Sequence, residues 1–254
     1  MSHVDFAPAR PRPELENRYW ICDQAAQIHG WLEPVTARRT TDILHWQGAR
    51  GISGNLMEIG VMCGKYFSIL LDSAERRGNT VLGIDTFQYT NTARVDQEMT
   101  KVFGEAIKAR YDLWECMSSK VNAAQIIASI GHPRFISIDG AHDYENVYRD
   151  LCLADAILAV DGLVAADDFL NPLTLGVNQA VNAFLSQPRH IVPVAFIANK
   201  LFLAHRTQAA CYRDAIEEIF TNATDAQGAG FVERASHGRH HIEQPFHGHS
   251  VLIG

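Results

Sequence analysis

The sequence has few cysteines, and nothing in their spacing pairs them. Its 254 residues contain 5 cysteines, with no CxxC pattern among them. An odd number would leave one thiol over in a secreted disulfide-bonded protein. The chain also lacks any run of roughly 18 apolar residues and any apolar segment typical of a signal peptide near its start. These absences exclude a disulfide scaffold and predict a cytoplasmic protein with no membrane anchor and no export signal.

Basic residues are also in deficit. Lys and Arg together number 22 against 29 Asp and Glu, for a formal net charge of −7. No segment concentrates the basic residues, as a surface that binds nucleic acid requires. Hydrophobic residues make up 47% and charged residues 20%, which is ordinary for one globular α/β unit of this length. The composition therefore favours a globular protein whose partner is not a nucleic acid.

The order of apolar runs predicts the fold. Residues 1–16 hold three prolines and are predicted to be an extended arm, and residues 18–47 to form two short helices broken near Pro34, as a lid or a dimer surface. From Gly54 onward, short apolar runs alternate with helical stretches, which is typical of βαβ units. The seven candidate strands are 56–61, 80–87, 113–117, 134–140, 162–169, 190–197 and 200–205.

Only Ala198 and Asn199 separate the last two candidate strands, which is hairpin length and requires an antiparallel pair. The predicted architecture is therefore an α/β, Rossmann-like fold. It has a seven-stranded, mostly parallel sheet, an antiparallel terminal hairpin, and helices on both faces. Three parts are expected: an N-terminal arm and helical lid or dimer region (1–53), the core (54–206), and a C-terminal helix with a histidine-rich loop and an edge strand (207–254).

Two features predict a ligand site at the first strands. The first strand leads into an E-x-G-x-x-x-G turn, in which Glu58 precedes Gly60 and Gly64, and such glycines let a ligand approach the backbone closely. The second strand ends at Asp85, whose carboxylate could accept hydrogen bonds from both hydroxyls of a ribose. The plainer alternatives are an ordinary strand-to-helix turn and a turn or cap aspartate.

A cluster of acidic residues follows the fourth and fifth strands. Asp139, Asp167 and Asp168 would lie on one rim of a parallel sheet, where their charges repel unless a cation or protons neutralise them. A hard divalent ion such as Mg²⁺ or Ca²⁺ satisfies such oxygen ligands. His142, three residues after Asp139, is suited to act as a general base near neutral pH. The alternatives are that Asp143 and one of the Asp167/Asp168 pair only cap helices, and that His142 is a structural or surface residue.

These motifs resemble the class I S-adenosylmethionine-dependent methyltransferases. The resemblance is closest to the metal-dependent sugar O-methyltransferases of macrolide and aminocoumarin biosynthesis, of the macrocin, mycinamicin and novobiocin type. It covers about residues 54–206, and its most specific stretch is the IDGxHxY sequence followed, after a helix, by the Asp167–Asp168 pair. Tyr66 departs from it, because many relatives have a small Ser or Thr after the glycine turn.

The resemblance implies a set of site residues. The methionine end of S-adenosylmethionine would lie against Glu58, Gly60 and Gly64, its ribose on Asp85, and its adenosine near Ser118 or Ser119. A divalent cation, in type Mg²⁺, would be held by Asp139, Asp167 and Asp168, with His142 as the base and Asp139 beside it in the catalytic centre. The implied reaction is methyl transfer to a hydroxyl of a small molecule such as a sugar.

Other interpretations stay open at this point. A nicotinamide-dependent oxidoreductase would share the parallel sheet, but this sequence lacks the glycine fingerprint of such enzymes. A non-catalytic nucleoside-binding module would keep the glycine turn without needing the acidic cluster. The acceptor atom could be nitrogen or carbon, and the chain could assemble as a homo-oligomer. Five histidines in the last eighteen residues invite a metal, but their spacing lacks the i, i+4 pattern of zinc-binding helices.

Overall fold

The structure is a computed structural model that describes residues 17–254, so the predicted extended arm of residues 1–16 lies outside it. Two helices come first and are followed by alternating strands and helices. Short 3₁₀ helices cover Glu105–Arg110, Ser118–Lys120 and Arg239–His241. The helices are α1 (Trp20–Gln27), α2 (Pro34–Ala49), α3 (Lys65–Glu75), α4 (Thr92–Phe103), α5 (Ala123–Ile130), α6 (Tyr144–Ile157), α7 (Leu175–Leu185), α8 (Ala209–Thr221) and α9 (Ala226–Ser236).

The strands form one nine-stranded sheet in the order β3-β2-β1-β4-β5-β7-β6-β9-β8. Strands β1 to β5 pair in parallel, and β7 runs antiparallel between β5 and β6. The strands are β1 (Leu56–Ile59), β2 (Val81–Asp85), β3 (Tyr111–Glu115), β4 (Phe135–Ile138), β5 (Leu163–Ala166), β6 (Ile191–Ile197), β7 (Lys200–His205), β8 (Glu243–Phe246) and β9 (His249–Ile253). The mostly parallel Rossmann-like sheet with its reversed hairpin is confirmed.

The C-terminal part is more elaborate than the sequence predicted. Where one helix and one edge strand were expected, the structure has α8, α9 and the hairpin β8–β9. Asp225 separates the two helices, because its side chain accepts a hydrogen bond from Gly228 N and caps α9. His247 and Gly248 both have positive φ and form the two-residue turn of the hairpin.

The sheet has an apolar core on each face. Leu56 and Phe135 belong to the core beneath α1, α2, α3 and α8, whereas Met57 and Ile136 belong to the core beneath α5, α6 and α7. This alternation is the two-residue period of strands covered by helices on both sides. Because the parallel strands all end at the same rim, the residues that follow them are brought together there.

Pro34 is the first residue of α2, where proline is tolerated because its missing N–H would have no helical partner. It explains the break between the two predicted N-terminal helices.

Nowhere in residues 17–254 does a helix combine the length and the apolar character that crossing a bilayer requires. All five cysteines fall in this range and are free.

Candidate functional site

The E-x-G-x-x-x-G turn lies against the loop that follows β4. Gly60 and Gly64 have φ of 88° and 89°, which favours glycine. A Cβ at Gly60 would stand 1.9 Å from the carbonyl oxygen of Asp139, and Asp139 N donates to Ile59 O at 2.8 Å. The close contact between the two loops therefore requires glycine at position 60, and it holds Asp139 at the turn.

Asp85 ends β2 and faces the same turn. Its Oδ2 accepts a hydrogen bond from Met62 N at 2.8 Å, and its Oδ1 accepts one from Phe87 N at 2.7 Å. The side chain is partly exposed, and each carboxylate oxygen can accept a further bond. Asp85 thus fixes the turn and can still receive hydroxyl donors from a ligand.

Glu58 is the third residue of β1 and is buried, with 1% of its surface exposed. Its Oε2 has no hydrogen-bond partner among residues 17–254. Burial, together with the charge of Asp139, raises the pKa of Glu58 well above its ordinary value, and the charge of Lys200 opposes this. An unpartnered carboxyl oxygen at the end of the first strand is suited to receive a donor from a bound ligand.

Ser118 and Ser119 lie in the short 3₁₀ helix after β3, and both are partly buried. Ser118 interacts with Asp150, a buried carboxyl on α6, and this interaction lowers the pKa of Asp150. Sequence reasoning missed Asp150. The available signal was an acidic residue on the apolar face of α6, between Val147 and Leu151.

The three predicted aspartates do come together, but with a lysine among them. Lys200, the first residue of β7, places Nζ 2.8 Å from Asp167 Oδ2 and 3.8 Å from Asp139 Oδ2. Its side chain is 1% exposed. Asp168 follows Asp167 with φ of 58°, which turns the chain so that the two neighbouring carboxylates have different partners. Sequence reasoning missed Lys200.

The charges of this group depend on one another. Burial raises the pKa of Asp167 to about 7, with the charge of Asp139 adding to it and Lys200 opposing it. Burial would also raise the pKa of Asp139, but the charge of Lys200 and the neighbouring His142 outweigh burial and lower it. Likewise, burial would lower the pKa of Lys200, but Asp167 and Asp139 raise it. Lys200 is therefore the positive charge that balances Asp139 and Asp167.

His142 lies in the loop between β4 and α6. Its Nε2 is 3.7 Å from Asp139 Oδ1 and 3.5 Å from Asp168 Oδ2, and its side chain is 45% exposed. The neighbouring carboxylate of Asp139 raises the pKa of His142, although burial opposes the shift. An imidazole held by carboxylates and open to solvent can take a proton from a bound molecule.

The side chains at the predicted metal site do not fit a divalent cation. Such an ion needs several free oxygen ligands around one point, but Asp167 Oδ1 accepts from Asn199 Nδ2 at 2.5 Å and from Asp168 N at 2.9 Å. Its Oδ2 accepts from Lys200. Over residues 17–254, no three His, Cys, Asp or Glu side chains are grouped to hold a metal ion. The C-terminal histidines, which lie in this range, form no such group either.

Comparisons with known proteins agree with this architecture. Residues 57–169 match the family model described as "Methyltransferase domain". No curated protein matches the chain. An O-methyltransferase from Bacillus cereus, solved in complex with SAH, is 14% identical with a TM-score of 0.51, over 76% of this chain and 90% of that one.

A second similar structure is the MycE methyltransferase from the mycinamycin biosynthetic pathway, in complex with Mg, SAH and mycinamycin VI. It is 15% identical with a TM-score of 0.52, over 73% of this chain and 53% of that one. Identities this low establish the fold only. The family match, which extends from β1 to the residues just after β5, agrees with that fold. Residues 57–169 thus match a methyltransferase domain, and the chain has the fold of the class I S-adenosylmethionine-dependent methyltransferases.

Proposed function

We propose that this protein transfers a methyl group from S-adenosylmethionine to a hydroxyl group of a small molecule, such as a sugar or another hydroxylated metabolite. The observation that carries the proposal is the position of His142. Its Nε2 lies within 3.7 Å of Asp139 and Asp168, on the rim where the glycine turn meets the loop after β4.

The residues around the turn fit S-adenosylmethionine. The ammonium of its methionine part would supply the hydrogen-bond donor that Glu58 Oε2 lacks, beside Gly60 and Gly64. Asp85 would receive the ribose hydroxyls, and Ser118 or Ser119 would lie beside the adenosine. When bound, S-adenosylmethionine supplies an electrophilic methyl group.

His142 would act on the acceptor. A hydroxyl is a poor nucleophile until its proton is removed, and an imidazole whose pKa is raised by Asp139 is a stronger base than a free one. Asp139 keeps the imidazole oriented and stabilises the imidazolium form. The remaining requirement is alignment of the acceptor oxygen with the methyl group, which comes from positioning.

The similar structures support oxygen as the acceptor atom. The Bacillus cereus protein is an O-methyltransferase, and MycE was solved with the natural product mycinamycin VI. Both complexes hold SAH. These facts belong to those proteins, and they favour a small hydroxylated acceptor for this chain.

Isothermal titration calorimetry with S-adenosylmethionine, SAH and NAD⁺ tests the proposal. We expect the first two to bind and NAD⁺ not to bind. Asp85→Ala should weaken S-adenosylmethionine binding by roughly 1.5–3 kcal/mol, because charge-assisted hydrogen bonds to the ribose are lost. Asp112→Ala is the matched control, since Asp112 is exposed on β3. Binding of NAD⁺ but not SAH, or unchanged affinity in Asp85→Ala, would contradict the assignment.

A further inference from the structure

The cationic group at the acidic rim is built into the chain. Lys200 begins β7 directly after the two-residue turn Ala198–Asn199, and Ala198 has a positive φ of 53°. The turn therefore directs both the Lys200 ammonium and the Asn199 amide toward Asp167. Between them, Lys200, Asn199 and the backbone N–H of Asp168 use both oxygens of that carboxylate.

Tyr66 shields this ammonium from water. Its ring centroid is 4.6 Å from Lys200 Nζ, within the range of a cation–π interaction. Its hydroxyl is hydrogen-bonded to Thr40 Oγ1 at 2.9 Å, and the residue is buried. Tyr66 also occupies the position after the glycine turn at which many members of the resembled family have a small Ser or Thr. A small side chain at position 66 would leave the ammonium without this aromatic face.

We propose that the Lys200 ammonium takes the place of a divalent cation between Asp139 and Asp167, so that this protein binds no metal at the rim and transfers methyl groups without one. The claim that methyl transfer proceeds without a metal rests on the proposed function. Lys200 is buried and does not reach an acceptor, so it is a positioning residue: it holds Asp139, which in turn orients His142. Removal of the acceptor proton then falls to His142.

The charges support this substitution. Two carboxylates that share one ammonium in a largely buried site repel each other unless a cation or a proton neutralises them. One ammonium supplies a single positive charge and three donors. Lys200 Nζ lies 2.8 Å from Asp167 Oδ2 and 3.8 Å from Asp139 Oδ2, so both carboxylates share this charge. A divalent ion entering the same space would meet the ammonium, and two cations this close repel each other strongly when they are shielded from water.

Titration with Mn²⁺, followed by the electron paramagnetic resonance signal of the free ion, tests the proposal on the full chain at pH 8. We expect the parent protein to leave the signal unchanged. Lys200→Met removes the charge at similar length, and we expect it to gain one Mn²⁺ site per chain that disappears again in Lys200→Met/Asp167→Asn. Lys108→Met is the matched control, because Lys108 lies at the surface, where it pairs with Glu105.

Stoichiometric Mn²⁺ binding by the parent protein, lost in Asp167→Asn, would overturn the proposal. A folded Lys200→Met protein that binds no Mn²⁺ would also overturn it, since Lys200 would not be what excludes the ion. Lys200→Gln serves as a second neutral variant, and if neither folds, the parent titration decides. Calorimetry with SAH on the same samples separates the two claims: failure to bind SAH refutes the proposed function, whereas the Mn²⁺ result concerns the charge substitution alone.

Discussion

Asp150 provides a test of how the protein supports its candidate adenosine site. This carboxyl is 2% exposed on α6, and its Oδ2 has no hydrogen-bond partner among residues 17–254. Burial raises its pKa from 3.8 to about 6, although the interaction with Ser118 opposes the shift. Near neutral pH the protein therefore holds a buried charge with little compensation, and folding is less favourable than it would be with a neutral group.

The sign of the effect follows from proton binding. Because the folded state binds this proton more tightly than the unfolded state, stability falls as pH rises from about 4 through 6. With the shift from 3.8 to about 6, the cost is about 3 kcal/mol at pH 7 and about 1 kcal/mol at pH 4.5. Asp150→Asn removes the charge and keeps an oxygen for Ser118, so we expect it to stabilise the protein by up to these amounts.

Urea unfolding of the parent and the variant at pH 4.5 and pH 7 measures the difference, since other titrating groups cancel between them. Asp143→Asn is a matched control on the same helix. Asp143 is exposed and caps α6, and the hydrogen bonds from Asn146 lower its pKa. Its replacement should bring no stabilisation at either pH. A gain in Asp150→Asn that is equal at both pH values, or a loss at pH 7, would refute the reasoning.

Three further predictions concern the rim and the N-terminal helices. His142→Gln should keep SAH affinity but reduce methyl transfer to a confirmed acceptor by about 10²–10⁴-fold, with a residual rate that rises with pH; an unchanged rate would make His142 structural. Gly60→Ala should lose more than about 2 kcal/mol of unfolding free energy because its Cβ would meet Asp139 O, whereas Gly51→Ala, at φ of 73° with open space around it, should lose only about 1 kcal/mol. Arg39→Met should cost about 3–5 kcal/mol in the same urea assay, because the buried guanidinium bridges two carboxylates; a loss under 1 kcal/mol would contradict this.

The positions of the rim residues could be predicted because they depend on one rule. In a parallel sheet, residues that follow the strands share an edge, and Asp85, Asp139 and Asp167 each stand at the end of an apolar run. The hairpin β6–β7 was equally accessible, since two residues between two runs leave only an antiparallel pairing. The assignment of S-adenosylmethionine to this edge came from the resemblance and not from the spacing.

The hairpin β8–β9 shows where the local signal ends. Strand β8 contains Pro245 and exposed Gln244, so it has no apolar alternation by which to recognise it. As the edge strand of the sheet it can tolerate a proline, because one side of its backbone needs no partner. Its existence depends on pairing with β9, which supplies the buried Val251 and Leu252.

Lys200 could not be predicted for a different reason. Next to a two-residue turn, a lysine is expected to face water, and nothing within the hairpin sequence says otherwise. Its burial depends on Asp139, in the loop after β4, and on Tyr66, in the first turn of α3, both far from β7 along the chain. The sequence indicated that the acidic cluster needs a cation or protons to neutralise it, and a divalent ion was the expected cation. The sequence contains no local pattern that distinguishes a bound ion from a lysine of the chain itself. The source of that charge therefore emerges only when these elements are placed together in the fold.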